Sequence, residues 1–342
     1  MENLAKKTLL LLIRNKTIKT DFQEAIAETL KSYPQIQVYE ATHPDYPEFE
    51  TMPAKDSISI VMAFGAYVSI DTIMKACKNL QWCHAFSTGC DKITGSQLFR
   101  ESSITLTVTR GASAVGLSEF VIGSMISFSR KFREWEELQK QSTWGTFAST
   151  DISRKKIAIA GYGKIGSKIG RICRDSFDMT VVGVKNRVED SAYTDHPEVT
   201  KFYRLTDLGE ACDGADFVVS VLPGGRETEN VFNADVFKRF KKSAIFISIG
   251  RGSNVVEEDL IEALKQGTIG GAALDVFKTE PLPNTSPFYT DEEIKNKVLI
   301  TCHAACVSEA LREEVFKIFK TNLELYLAGK PLENVVDREL GY

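Results

Sequence analysis

The 342 residues contain no Cys-x-x-Cys pair, and the seven cysteines (Cys77, Cys83, Cys90, Cys173, Cys212, Cys302, Cys306) are odd in number and scattered. A disulfide framework and a cysteine zinc site are both excluded, and free thiols point to a reducing compartment, expected to be the cytoplasm. Only four histidines are present, too few and too dispersed for a His-rich metal centre. Long apolar runs are missing. The leucine-rich run Leu9 to Ile13 is too short for a membrane span or a signal-peptide core, despite Lys6 and Lys7 before it. Charge of one sign is also lacking. The 42 basic and 46 acidic residues leave a net charge of -4, which offers no field for nucleic acid or an anionic membrane. No Pro/Gly/Ser-rich linker, internal repeat or low-complexity tract appears, so the domains must join through ordered crossings.

What is present is a β-α rhythm, twice over. Strands are expected at Thr8–Ile13, Gln35–Ala41, Ile58–Ala63, Leu80–Phe86 and Ile104–Thr109, with helices such as Asp21–Ser32 and Ile70–Lys78 between them. Such short, apolar, β-branched runs suit strands buried on both faces of a parallel sheet. After Gly111, Leu117, Val121, Met125, Phe128, Phe132 and Trp135 form one apolar stripe, which predicts a single long helix buried in the chain's own core or against a domain or subunit. A second series then begins, with strands at Ile157–Ala160, Thr180–Val184, Phe217–Leu222, Ala244–Ile249, Ala272–Val276 and Val298–Thr301. Six strands with intervening helices match a dinucleotide-binding domain. A last helix is expected over Ser308–Ala328. The fold class is therefore α/β, with two doubly wound parallel-sheet (Rossmann/flavodoxin-like) domains and a cleft between them.

Gly161-Tyr162-Gly163-Lys164-Ile165-Gly166 is GxGxxG directly between a strand and a helical pattern. In that context Gly161 makes the tight turn, Gly163 admits a pyrophosphate and Gly166 packs helix on strand. Lys164 and Ile165 open the helix whose free N–H groups face the phosphates. After Val184 an acidic residue would bind the 2′-hydroxyl of NAD. Lys185-Asn186-Arg187 stands there instead, two cations and an amide suited to a 2′-phosphate. NADP is thus preferred, with NAD possible.

Arg251, Asp275, Glu280 and His303 lie at or just beyond strand ends, where doubly wound sheets bind ligands. Arg251 can grip a carboxylate with its fork and polarise a neighbouring ketone. His303 can donate a proton, and Glu280 can hold its other ring nitrogen. Asp275 alone could equally be a turn or cap residue. His84 reads as structural, and Glu119 as a helix-start residue without chemistry. Phe64-Gly-Ala-Tyr67 reads either as a pocket wall or as an ordinary loop.

Leu80–Asp91, Gly111–Glu119, the Gly161 motif, Ile249–Ser253, Ala273–Pro283 and Thr301–His303 together resemble the D-isomer-specific 2-hydroxyacid dehydrogenase family. The family's catalytic Arg, Glu and His map onto Arg251, Glu280 and His303. The resemblance implies a substrate-binding domain of residues 1–105 plus 307–342 around a cofactor domain of residues 106–306, and a homodimer through the latter. It implies that Ser87, Thr88 and Gly89 hold the substrate carboxylate beside Arg251 and His303, and that Leu222, Pro223, Ile249, Arg251 and Asp275 line the cofactor. It also suggests that Trp144 covers a neighbouring subunit's pocket. Cys302 stands where the family often has Pro, Ala304-Ala305-Cys306 follows the His, and Gly224-Gly225-Arg226 replaces a Leu-Thr-Pro-like run. The expected function is NADP-preferring reduction of a small 2-oxo acid such as glyoxylate or hydroxypyruvate, with no nucleic-acid or membrane partner. Alternatives are a nicotinamide-sensing corepressor, or an NAD-linked D-lactate or phosphoglycerate dehydrogenase.

Overall fold

The computed structural model describes residues 8–12, 30–41, 55–63, 70–186, 188, 192–339 and 341. Arg187, most of the Asp21–Ser32 helix, the Phe64–Tyr67 loop and Ile13 lie outside the described residues. The chain divides into two units, Met1–Ala112 with Ser308–Tyr342, and Ser113–Val307.

The first unit holds a five-stranded sheet of β1 (Thr8–Leu12), β2 (Gln37–Ala41), β3 (Ile58–Ala63), β4 (Trp82–Ala85) and β5 (Thr105–Val108), in the order β2-β1-β3-β4-β5. All its pairs are parallel. The first unit runs on to Ala112, past the expected edge at 105/106, because β5 belongs to this sheet. Ile60, Met62 and Trp82 pack on one side against Phe316, Phe319 and Leu323 of the helix Glu309–Leu327. Cys83, Ala85, Leu106 and Val108 pack in a separate cluster. Burial on both faces is why these strands read as apolar runs without alternation.

The second unit is a seven-stranded parallel sheet. Its strands are β6 (Lys156–Ala160), β7 (Thr180–Lys185), β8 (Val199–Arg204), β9 (Phe217–Ser220), β10 (Ile245–Ser248), β11 (Gly271–Leu274) and β12 (Val298–Ile300), in the order β12-β11-β10-β9-β6-β7-β8. Alternate residues feed two cores: Ile157 and Ile159 one, Ala158 and Ala160 the other. The order reverses between β6 and β9, the switch point at whose C-terminal side ligands bind in such sheets.

Two expectations need correction. The sheet has seven strands rather than six, because β8 pairs with β7 at its edge. Thr200, Lys201 and Arg204 face solvent there, so its sequence reads as polar. The long apolar helix is two helices, Ala114–Ser129 and Phe132–Lys140, with Lys131 between them in the left-handed region at φ 56°. Leu117, Val121 and Met125 are buried, while Phe132 and Trp135 are exposed, so the stripe continues past the point where the intrachain core ends. Among the described residues, no helix is long and apolar enough to cross a membrane.

Candidate active site

The glycine turn forms where β6 ends. Gly161 has φ +99°, and a Cβ there would stand 2.6 Å from the Val221 carbonyl oxygen. Only glycine lets the loops after β6 and β9 lie so close. A Cβ at Gly166 would stand 2.2 Å from the Gly161 carbonyl oxygen, which presses the helix Lys164–Phe177 onto the turn. At Gly163 a Cβ would meet nothing within 4 Å, and no side chain caps the helix start behind it. An open cradle ahead of uncapped backbone N–H groups suits a pyrophosphate. Lys164 is exposed at its mouth, and Ile165 packs against the core beneath. These residues fit a nicotinamide dinucleotide.

At the C-terminal end of β7, Lys185 places its ammonium 5.7 Å from the centre of the Phe202 ring. The Asn186 amide donates to Glu227 Oε2 at 2.5 Å. Glu227 belongs to another loop, the one that follows β9.

Arg251 follows β10, and its flanking glycines explain how distant segments meet. A Cβ at Gly250 would stand 2.4 Å from the Leu222 carbonyl oxygen. One at Gly252 would stand 1.9 Å from the carbonyl carbon of Phe277. Leu222 therefore packs on the Gly250 side of Arg251, and the Phe277–Lys278 backbone on the Gly252 side. Asn254, fully buried, clamps the arrangement. Its Oδ1 accepts the Arg251 N–H at 3.0 Å, and its amide donates to the Pro223 carbonyl at 3.0 Å and the Thr228 carbonyl at 3.1 Å. The Arg251 guanidinium donates to the Gly250 carbonyl at 2.8 Å. Leu222 and Ile249 are buried beneath.

Glu280 is held at both oxygens. Oε1 accepts the Phe277 N–H at 2.9 Å, and Oε2 lies 2.8 Å from His303 Nδ1. With Nδ1 donating to the carboxylate, Nε2 is the nitrogen left to exchange a proton with a ligand. The His303 side chain is 44% exposed, so it can reach one. His303 itself sits in the left-handed region at φ 53°. Asp275 supports that backbone: its carbonyl accepts the His303 N–H at 2.8 Å. Its Oδ1 accepts from Thr301 Oγ1 at 2.6 Å, Ala304 N at 2.9 Å and Ala305 N at 3.0 Å. Asp275 thus organises the turn carrying His303, while Oδ2 makes no hydrogen bond among the described residues. Thr301, Ala304 and Ala305 settle the turn without the Pro that Cys302 replaces.

Ser87, Thr88 and Gly89 follow β4 in the first unit. Ser87 Oγ donates to the Gly89 carbonyl at 2.8 Å, and the Ser87 carbonyl accepts the Thr109 N–H at 3.1 Å. The loop is thereby fixed to the end of β5. Asn254 and Glu227 carried no sequence signal: two of the three partners of the first lie more than twenty positions away, and the second meets Asn186 across 41 positions of chain.

Residues 122–305 match the family D-isomer specific 2-hydroxyacid dehydrogenase, NAD binding domain. A probable 2-ketogluconate reductase of Dictyostelium discoideum is 31% identical over 238 residues, covering 67% of this chain and 69% of the relative. Glyoxylate/hydroxypyruvate reductase A of Klebsiella pneumoniae subsp. pneumoniae is 29% identical over 226 residues, covering 66% and 69%. The structure of an NADPH-dependent glyoxylate/hydroxypyruvate reductase from Sinorhizobium meliloti, in complex with NADP and sulfate, superposes with a TM-score of 0.79 at 24% identity. That likeness covers 98% of this chain and 100% of the other, and shows the shared fold. With a family match over more than half its length, the chain belongs to the D-isomer specific 2-hydroxyacid dehydrogenase family.

Proposed function

We propose that the protein reduces small 2-oxo acids, with glyoxylate or hydroxypyruvate as the type of substrate, using NADPH in preference to NADH. A chiral product is the D-2-hydroxy acid. The observation that carries this reading is the Glu280–His303 contact of 2.8 Å on a segment packed against Gly252, next to Arg251.

When bound, the nicotinamide supplies the hydride. Arg251 holds the substrate carboxylate and draws electron density from the adjoining ketone. His303 delivers its Nε2 proton to the ketone oxygen as negative charge develops there. Glu280 keeps Nδ1 protonated and stabilises the imidazolium before that transfer. Ser87, Thr88 and Gly89 offer further donors to the carboxylate. Gly161, Gly163, Lys164, Ile165 and Gly166 cradle the pyrophosphate. Leu222, Pro223, Ile249 and Asp275 would line the nicotinamide or adenosine side of the cofactor. The cations Lys185, Arg187 and Arg226, and the NADP held by the Sinorhizobium meliloti reductase, support the preference for NADPH.

The exposed rings of Phe132, Trp135 and Trp144 support a homodimer through the second unit, and the free cysteines support a cytoplasmic setting. The test is a panel of 2-oxo acids assayed with NADPH and NADH in parallel. Turnover of glyoxylate or hydroxypyruvate, faster with NADPH, is the expected result. Absence of turnover on every 2-oxo acid with either cofactor overturns the reading.

A further inference from the structure

We propose that Glu227, on the loop after β9, sets the cofactor selectivity of this enzyme by placing a carboxylate at the adenosine-ribose corner, where it works against the 2′-phosphate of NADPH. The proposal rests on the cofactor reading above, and it predicts that the preference for NADPH is held below what the Lys185–Arg187 run would give.

The end of β7 is where this class of sheet meets the ribose 2′ group. The local sequence there is cationic, yet Asn186 directs its amide to Glu227 Oε2 at 2.5 Å. The carboxylate is therefore one side chain away from the end of β7. Its loop is firmly shaped. Gly225 has φ +147°, a conformation that L side chains rarely adopt. Thr228 Oγ1 lies 2.7 Å from the Pro223 carbonyl and 3.1 Å from the Gly225 carbonyl. The buried Asn254 amide fixes the Pro223 and Thr228 carbonyls. Glu227 is thus carried on a backbone fixed on both sides of it, and the same Asn254 holds Arg251.

The chemistry separates the two cofactors. A 2′-hydroxyl can donate to a carboxylate, whereas a 2′-phosphate brings negative charge against it and must draw Asn186 away. Lys185 and Arg226 attract the phosphate, and Glu227 opposes them with a negative charge. Its ammonium's position over Phe202 leaves Lys185 to act from a distance. Selectivity by a repulsive element is an established physical route to discrimination.

The experiment titrates NADPH and NADH against the substrate-free enzyme by nicotinamide fluorescence, for wild type, Glu227→Gln and Glu227→Lys. Gln keeps the size and a possible bond to Asn186 but removes the charge. The Kd for NADPH is expected to fall roughly tenfold in Glu227→Gln and further in Glu227→Lys, with the Kd for NADH unchanged or weakened. The difference between variants should shrink as salt rises. Equal shifts for both cofactors, or no shift, overturn the proposal. Failure of the 2-oxo acid reading would appear instead as absent turnover with these binding ratios still measurable.

Discussion

Acid should loosen the first unit through His84, and the size of the effect follows from its surroundings. His84 lies in β4, fully buried between Trp82, Phe86 and Phe319. Thr107 Oγ1 accepts the Trp82 Nε1–H at 2.8 Å and lies 2.7 Å from His84 Nδ1. His84 Nε2 has no hydrogen-bond partner among the described residues. Burial pushes the imidazole down from 6.5 to about 3. Above pH 6.5 the ring is neutral in both folded and unfolded chains and stability is unaffected. Below it the unfolded chain takes a proton that the folded chain refuses. Stability is then lost at about 1.4 kcal/mol per pH unit, until the folded ring also titrates near pH 3. Between pH 6.5 and about pH 4.5 this single residue costs on the order of 2 kcal/mol, a large part of an ordinary domain's stability. The assay is urea unfolding across that range, followed by Trp82 fluorescence in a background with Trp135 and Trp144 replaced by Phe. His84→Phe should flatten the pH dependence by that amount, whatever its effect on stability at pH 7. An unchanged slope in the variant refutes the reasoning.

The glycine turn allows packing and binding to be separated. Gly163→Ala should fold with an unchanged melting temperature, since its Cβ meets nothing within 4 Å, but should weaken NADPH binding by more than about tenfold, read by fluorescence titration. Gly166→Ala, with its Cβ at 2.2 Å from backbone oxygen, should instead lower the melting temperature by several degrees, read by calorimetry. Asn254→Ala leaves the Pro223 and Thr228 carbonyls and the Arg251 N–H without their clamp; kcat/KM should fall by about tenfold or more, with cofactor binding weakened as well.

The parallel strands were legible because burial on both faces makes them continuous apolar runs, as in β6, β9 and β10. Arg251, Glu280 and His303 stand out in the sequence because they follow the strand runs β10, β11 and β12, Arg251 between two glycines and Glu280 before a proline. What escaped was set by long-range packing. β8 exposes half its residues at the sheet edge and so reads as a polar stretch. The break at Lys131 depends on one backbone conformation within an unbroken apolar stripe. Asn254 stands in a short polar run with nothing to mark it, and two of its three partners, the Pro223 and Thr228 carbonyls, come from a loop more than twenty positions away. Glu227 supplies an acid to the end of β7 from the loop after β9, which no reading of the Lys185–Arg187 run alone could reveal. Asp275 was placed correctly at its strand end, but the three donors on its Oδ1 arrive from the turn around His303.

The proposed proton donor is His303, held by Glu280, and the most direct test of that role is His303→Asn. Asn tolerates the left-handed backbone at φ 53°, so the turn should survive the change. Glyoxylate reduction should fall by about a hundredfold to ten-thousandfold while NADPH still binds with near wild-type affinity. Turnover close to that of the wild type would contradict the account.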